Sequence, residues 1–315
     1  FTRNATDSLN MVIHGFAHQH RETPFHVVTT RLEHNAVLRP LRTLEREGRI
    51  TLSIVPFEDG YVAPQAIREA LRDDTRMVVM THGSNVLGTV QDVGAIGRHL
   101  RSQDIFFVVD GAQTAGHASV DLSALPVDVF VFTGHKGLYG LPGIGGFYIQ
   151  RPEVVDAVRQ GGTGVESARP YHTDEMPLKF ECGTHNYPGI ASLYAGVRYL
   201  MQNGPDRLER RTMENTEYLV RVLREEESVV LHNDAPDLPV IPFSVEGMDS
   251  HDVGFILARM YSVICRTGLH CAPLVHESID GGRGCVRLSL SSQNTREQCE
   301  AAARAIREVV QRADR

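Results

Sequence analysis

Ile105-Phe106-Phe107-Val108-Val109-Asp110-Gly111-Ala112-Gln113 is the stretch that decides the fold. Five apolar residues with no polar alternation run straight into a carboxylate and a glycine. Such a run, closed by a turn signal, reads as a strand buried on both faces, the kind found in parallel sheets covered by helices. Similar short, β-branched runs stand at 26–30, 52–56, 77–81, 127–133 and 145–149. Helical patterns lie among them at 7–16, 35–47, 64–71 and 93–101. The alternation predicts an α/β fold with a mostly parallel sheet and helices on both faces. In such sheets ligands bind beyond the carboxyl ends of the strands.

Beyond Asn186-Tyr187-Pro188 a long helical pattern covers 189–202, and Asn203-Gly204-Pro205 punctuates it. The remainder predicts a smaller α/β unit with strands near 240–245, 263–266 and 286–290. Its last helix opens with a capping box, Thr295 and Gln298. The expected division is therefore a large domain at 1–204 and a small C-terminal domain at 205–315.

Composition narrows the class. The chain has 315 residues, 42% of them hydrophobic and 23% charged, which suits a water-soluble protein with a real core. A formal net charge of −7 offers no basic footprint for nucleic acid. No stretch reaches the ~18 uninterrupted apolar residues of a membrane span. Five cysteines in a chain of this size do not make a disulfide scaffold, so a reducing, cytoplasmic location is expected. The opening, Phe1-Thr2-Arg3-Asn4-Ala5-Thr6-Asp7, has no initiator Met and no signal-peptide pattern, and reads like the interior of a domain.

Polar residues gather where the strands end. Glu33-His34 follows the first run, His82-Gly83-Ser84-Asn85 the third, Asp110-Gly111-Ala112-Gln113 the fourth and Thr133-Gly134-His135-Lys136 the fifth. Of the 32 lysines and arginines, only Lys136 and Lys179 are lysine, so chemistry that needs an amine has almost no choice. Lys136 stands among six glycines between Thr133 and Gly146. The order of residues is not that of a nucleotide phosphate loop. A lysine there suits a Schiff base with a carbonyl cofactor, and the plainer alternative is a surface lysine in a glycine-rich turn. Asp110, at the end of an apolar strand, needs a cationic partner. A pyridinium nitrogen is one, and a helix N-cap is the alternative role. Asn4-Ala5-Thr6-Asp7 precedes a helix whose free N–H groups would suit a phosphate.

These segments, with Glu33-His-Asn-Ala-Val37, His82-Gly-Ser-Asn-Val-Leu-Gly88, Glu181-Cys-Gly-Thr184 and Arg266-Thr-Gly-Leu-His-Cys-Ala272, resemble the class V aminotransferase family of pyridoxal-phosphate (PLP) fold type I. The cysteine desulfurase and selenocysteine lyase branch is the most similar. The resemblance implies the PLP-dependent transferase fold, with a mostly parallel seven-stranded sheet. It implies a Schiff base at Lys136, Asp110 on the pyridine nitrogen, Gln113 on the ring hydroxyl and His34 stacked on the ring. Asn85 would sit by the ring hydroxyl or the substrate carboxylate. Thr6, Thr133 and His135, with the amide of Ala5, would hold the phosphate. Thr184 would reach the phosphate of the partner subunit's cofactor, which implies a homodimer. Arg287 would clamp the substrate carboxylate through two parallel hydrogen bonds. Family members carry several dozen residues before the segment matching Phe1, so the chain is expected to lack an N-terminal part.

Cys271 chooses among functions. As a nucleophile it implies a PLP-dependent cysteine desulfurase that takes sulfur from L-cysteine, leaves alanine, and passes a persulfide to a sulfur-acceptor protein. As a spectator it leaves a selenocysteine lyase or another class V lyase, epimerase or transaminase. The branch usually has paired histidines before the cysteine, and here the first position is Leu269. Structural packing is the expectation for Cys182, Cys265, Cys285 and Cys299. Metal binding at His270-Cys271 is set aside, because no Cys-x-x-Cys pair exists.

Overall fold

The computed structural model describes residues 1–313. Each apolar run is a strand: β1 (Phe25–Thr30), β2 (Ile50–Val55), β3 (Thr75–Thr81), β4 (Phe106–Asp110), β5 (Val129–Thr133) and β6 (Gly145–Ile149). They form one sheet in the order β2-β1-β3-β4-β5-β6, parallel except for the antiparallel β5–β6 pair. The sheet thus has six strands among the described residues where seven were expected. Beside the β6 edge there is only an isolated antiparallel bridge between Thr2 and Gly145, and the stretch between β6 and the helix at Tyr187 folds mainly as turns and bends.

Alternation along the strands divides the core. Val27, Met77, Val79, Phe106 and Val108 face α1 (Ala5–Gln19) and α2 (Asn35–Arg46). Val28, Val78, Met80, Phe107 and Val109 face α3 (Pro64–Ala70) and α4 (Val93–Arg101). Both faces are covered, which is why the strands carry no polar alternation. Phe16 of α1 stacks on Phe106 with ring centroids 4.8 Å apart. Burying a side chain of this size stabilises by roughly 1.5–3 kcal/mol. By the same alternation Asp110 follows Phe106 and Val108 onto the α1 side.

After α5 (Tyr187–Asn203), Gly204 at φ 77° turns the chain into α6 (Pro205–Arg224). The rest is β7 (Val229–Leu231), β8 (Val240–Val245), α7 (Ser250–Tyr261), β9 (Arg266–Gly268), α8 (Pro273–Ile279), β10 (Cys285–Ser289) and α9 (Arg296–Ala313). These strands make an antiparallel sheet in the order β7-β8-β10-β9. β9 lies later than the expected 263–266. Ser262 ends α7 in the left-handed region, and pairing with β10 begins only at Arg266. The capping box of α9 forms as expected: Gln298 N donates to Thr295 Oγ1 at 3.3 Å, and Thr295 N to Gln298 Oε1 at 3.1 Å. No helix among the described residues is long and apolar enough to cross a membrane.

Glu33 ties the ends of β1 and β3 together. Its Oε1 accepts from Thr30 Oγ1 at 2.6 Å and from Thr81 N at 3.0 Å. The side chain is fully buried and Oε2 has no partner. Burial, with a smaller push from the Asp110 charge, raises its pKa to about 8, so the carboxyl is neutral at pH 7. A raised carboxyl favours folding most at low pH, and that contribution falls as pH rises from its ordinary 4.5 through 8. Thermal melts of wild type and Glu33→Gln should therefore diverge between pH 5 and pH 8. The wild type should lose up to about 1.4 kcal/mol per pH unit relative to the amide. Parallel curves would show that Glu33 ionises normally.

Candidate active site

The carboxyl ends of β1, β3, β4 and β5 and the first turn of α1 enclose a cavity of about 250 Å³. Its residues arrive from separate elements. Asn4 caps α1 by accepting from Asp7 N at 2.9 Å, which leaves the N–H groups of Ala5 and Thr6 facing the cavity without intrahelical partners. Opposite lie Thr133 and His135, whose Oγ1 and Nδ1 are 3.0 Å apart. Together these groups make a concave anion site.

Asp110 lines the floor, and its Oδ1 accepts from Ala112 N at 3.0 Å. Gly111 behind it has no room for a side chain, since a Cβ there would run into the Phe130 ring. Gln113 follows on the same turn and also lines the cavity. His34 is both a wall and the N-cap of α2. Its Nδ1 accepts from Ala36 N at 3.0 Å, so the neutral ring carries its proton on Nε2. Burial holds His34 below its ordinary pKa against the opposing pull of Asp110.

Lys136 completes the cavity. Burial lowers the pKa of its amine, Arg287 pushes the same way, and the charges of Asp110 and Cys271 oppose them. A lowered amine pKa makes the neutral, nucleophilic form easier to reach. Lys179 offers no rival: its side chain is buried, and its Nζ donates to Pro152 O at 2.9 Å.

The smaller sheet reaches the cavity wall through Arg287. Arg287 of β10 donates from Nη1 to Asn85 O at 2.8 Å, while its buried Nε has no partner. Asn85 lines the cavity and donates from Nδ2 to His270 O at 2.7 Å. Asn35 N donates to Cys271 O at 2.7 Å. Cys271 is exposed, and both His270 and Cys271 are left-handed, at φ 49° and 60°. The carbonyls of both residues are held, His270 O by Asn85 and Cys271 O by Asn35.

Not every strand-end residue joins the site. His82 Nδ1 pairs with Thr114 Oγ1 at 2.9 Å, and burial lowers its pKa to about 4. Ser84 Oγ accepts from Leu87 N at 3.0 Å. Both shape the turn after β3. Thr184 is exposed and lines a different recess with Phe1, Arg3 and Asn186. Nothing in the sequence reading assigned a role to Glu33, which sits under the cavity as a neutral acid.

The cavity fits pyridoxal phosphate. Free N–H groups and hydroxyls offer a phosphate site, a buried carboxylate suits a ring nitrogen, and one amine with a lowered pKa suits an aldehyde.

Comparison with known proteins agrees with this geometry. The Aminotransferase class-V family model matches residues 1–301. A probable cysteine desulfurase of Methanothermobacter thermautotrophicus is 32% identical over 316 positions, covering 98% of this chain and 78% of its own length. The cysteine desulfurase IscS of Pseudomonas fluorescens is 44% identical over 164 residues, 51% of this chain and 40% of its own. The solved apo structure of a cysteine desulfurase from Thermococcus onnurineus superimposes with a TM-score of 0.91 at 32% identity, over 98% of this chain and 78% of that one. The cysteine desulfurase CsdA of Escherichia coli gives a TM-score of 0.91 at 25% identity, with the same coverage. The chain belongs to the class V aminotransferase family, whose members depend on pyridoxal phosphate.

Proposed function

We propose that this protein is a PLP-dependent cysteine desulfurase that takes sulfur from L-cysteine, releases alanine and carries the sulfur as a persulfide on Cys271. The observation that carries the reading is the meeting of two half-sites. The cavity with Lys136 and Asp110 has a wall residue, Asn85, hydrogen-bonded to the loop that bears an exposed thiol, Cys271.

Pyridoxal phosphate, when bound, supplies an aldehyde that condenses with amines and a ring that accepts the electron pair of a broken Cα–H bond. Ala5, Thr6, Thr133 and His135 would hold its phosphate, Gln113 its hydroxyl and Asp110 its ring nitrogen, and His34 would stack on the ring. Arg287 receives the substrate carboxylate on Nε and the free face of its guanidinium, beside Asn85. The amine of Lys136 would take the substrate's α-proton on Nζ. The thiolate of Cys271 attacks the substrate sulfur. A sulfur–sulfur bond would form and the substrate's Cβ–S bond would break with its electron pair going to carbon. Cβ would take one proton and Lys136 would return the α-proton to Cα, which completes alanine and leaves the persulfide on Cys271.

Thr184, exposed and away from the Lys136 cavity, supports a homodimer in which it reaches the partner's phosphate. The exposure of Cys271 supports delivery to an acceptor protein. Five unpaired cysteines support a cytoplasmic setting. The break at Gly204 supports a large unit at 1–204 and a small one at 205–315.

Cys271→Ser should retain cofactor content and lose alanine and sulfide release from cysteine by about 100-fold or more. Unchanged desulfuration would remove Cys271 from the reaction. If wild type and Cys271→Ser instead turn over selenocysteine equally, the lyase reading takes precedence. Arg287→Lys keeps the charge but loses the two-pronged geometry. It should raise KM for cysteine roughly 10- to 100-fold, the worth of one charge-assisted hydrogen bond, with little change in bound cofactor. A KM equal to wild type would place the carboxylate elsewhere.

A further inference from the structure

Beneath the Cys271 loop, His270, His276 and Cys285 bring one ligand atom each within 4.8 Å of one another, all buried. Among the described residues this is the one such group of three. Three elements deliver them. Cys285 opens β10 and pairs across the sheet with Gly268, so the chain just past β9 carries His270 back over the sulfur. His276 comes from α8, which begins two residues after Cys271. None of the three lines the cofactor cavity.

The polar atoms here are poorly satisfied. His276 has a side chain with no exposed surface. Its Nδ1 meets Asp280 Oδ2 at 2.6 Å, while its Nε2 has no partner. His270 Nδ1 and Asp280 Oδ1 are also without partners. Buried polar groups are ordinarily paired, so these call for an explanation. Cys285 Sγ lies 3.6 Å from His270 Nε2. Tetrahedral ligands at zinc–sulfur and zinc–nitrogen bond lengths would stand about 3.6 Å apart. Asp280 behind His276 reproduces the carboxylate–histidine pair that orients metal-bound imidazoles.

We propose that His270, His276 and Cys285 form a metal site for a divalent transition ion, Zn²⁺ by its donor set, which fastens the base of the Cys271 loop. Two imidazoles and one thiolate, shut away from water, suit zinc better than calcium or magnesium, which take oxygen. Binding releases the thiol proton of Cys285, and the ion then replaces it as the positive partner of the sulfur. Without a cation, burial pushes the Cys285 thiol up to about 12 and holds His270 near 3, so the imidazole is neutral, with Nε2 donating to Cys285 O at 3.2 Å, a bond that the ion would replace. The ligands lie on three elements with no Cys-x-x-Cys spacing, so the sequence pattern concealed them. Cys285 then has a use beyond packing. The ion would be a third tether on the loop, below the bonds from Asn35 and Asn85.

The test uses the full chain, purified with its cofactor and without a histidine tag. Elemental analysis should find one zinc per chain after exhaustive dialysis. After chelation, Co²⁺ alone should bind and give a thiolate-to-cobalt charge-transfer band. Cys285→Ala and His276→Gln should each weaken Co²⁺ binding at least about tenfold and remove or shift that band, while Cys271→Ser keeps it. Should His276→Gln fold poorly, Cys285→Ala decides alone, because it removes one sulfur from an otherwise apolar position. No charge-transfer band in folded wild type overturns the site. So does a band that survives Cys285→Ala or disappears in Cys271→Ser, which would put the ion on the exposed thiol.

Discussion

A carboxylate and an amine held at the ends of neighbouring strands govern the rest of this structure. Asp110 ends β4 in the interior, and Lys136 stands just past β5 in a turn crowded with glycine. Burial drives the amine toward its neutral form, and Asp110 draws it back. The groups around them avoid adding competing charge. Glu33, beneath, keeps its proton at neutral pH, and burial lowers the pKa of both His34 and His82. A second ionised carboxylate at that depth would compete for the same cation and shift its balance. The sheet provides the low-polarity floor that gives these interactions their strength.

The second requirement is that two separately built sheets meet at one cavity. A short chain of hydrogen bonds does this. Arg287 of β10 holds Asn85 O, Asn85 holds His270 O, and Asn35 N holds Cys271 O. Each contributes on the order of 1 kcal/mol net. Their geometry matters more, since they set where the thiol stands relative to Lys136. The main chain of this loop is anchored on the carbonyls of His270 and Cys271, while the side chains of Cys271 and Leu269 are exposed.

Much of this was legible in the sequence because the chemistry of each strand changes abruptly at its end. All six apolar runs fold as strands, and the two closed by Asp110-Gly111 and Thr133-Gly134 end on residues that line the cavity. Lys136 stood out through the scarcity of lysine. What escaped notice depends on distance in the chain rather than pattern. β7 has three residues, too few for periodicity to register. The neutral state of Glu33 follows from burial between β1 and β3, which no local window reveals. His276 and Cys285 look like packing residues until the β9–β10 pairing brings them under His270. The expected seventh strand came from family resemblance; beside the edge strand β6 the described residues place only an isolated antiparallel bridge between Thr2 and Gly145.

The most direct test of the account asks which amine holds the cofactor. The protein saturated with pyridoxal phosphate is reduced with borohydride and digested, and the pyridoxyl group is located by mass spectrometry. The account predicts the label on Lys136, in the peptide that follows β5. Label on Lys179, whose amine is bonded to Pro152 O away from the cavity, or no label on the cofactor-saturated chain, would contradict it.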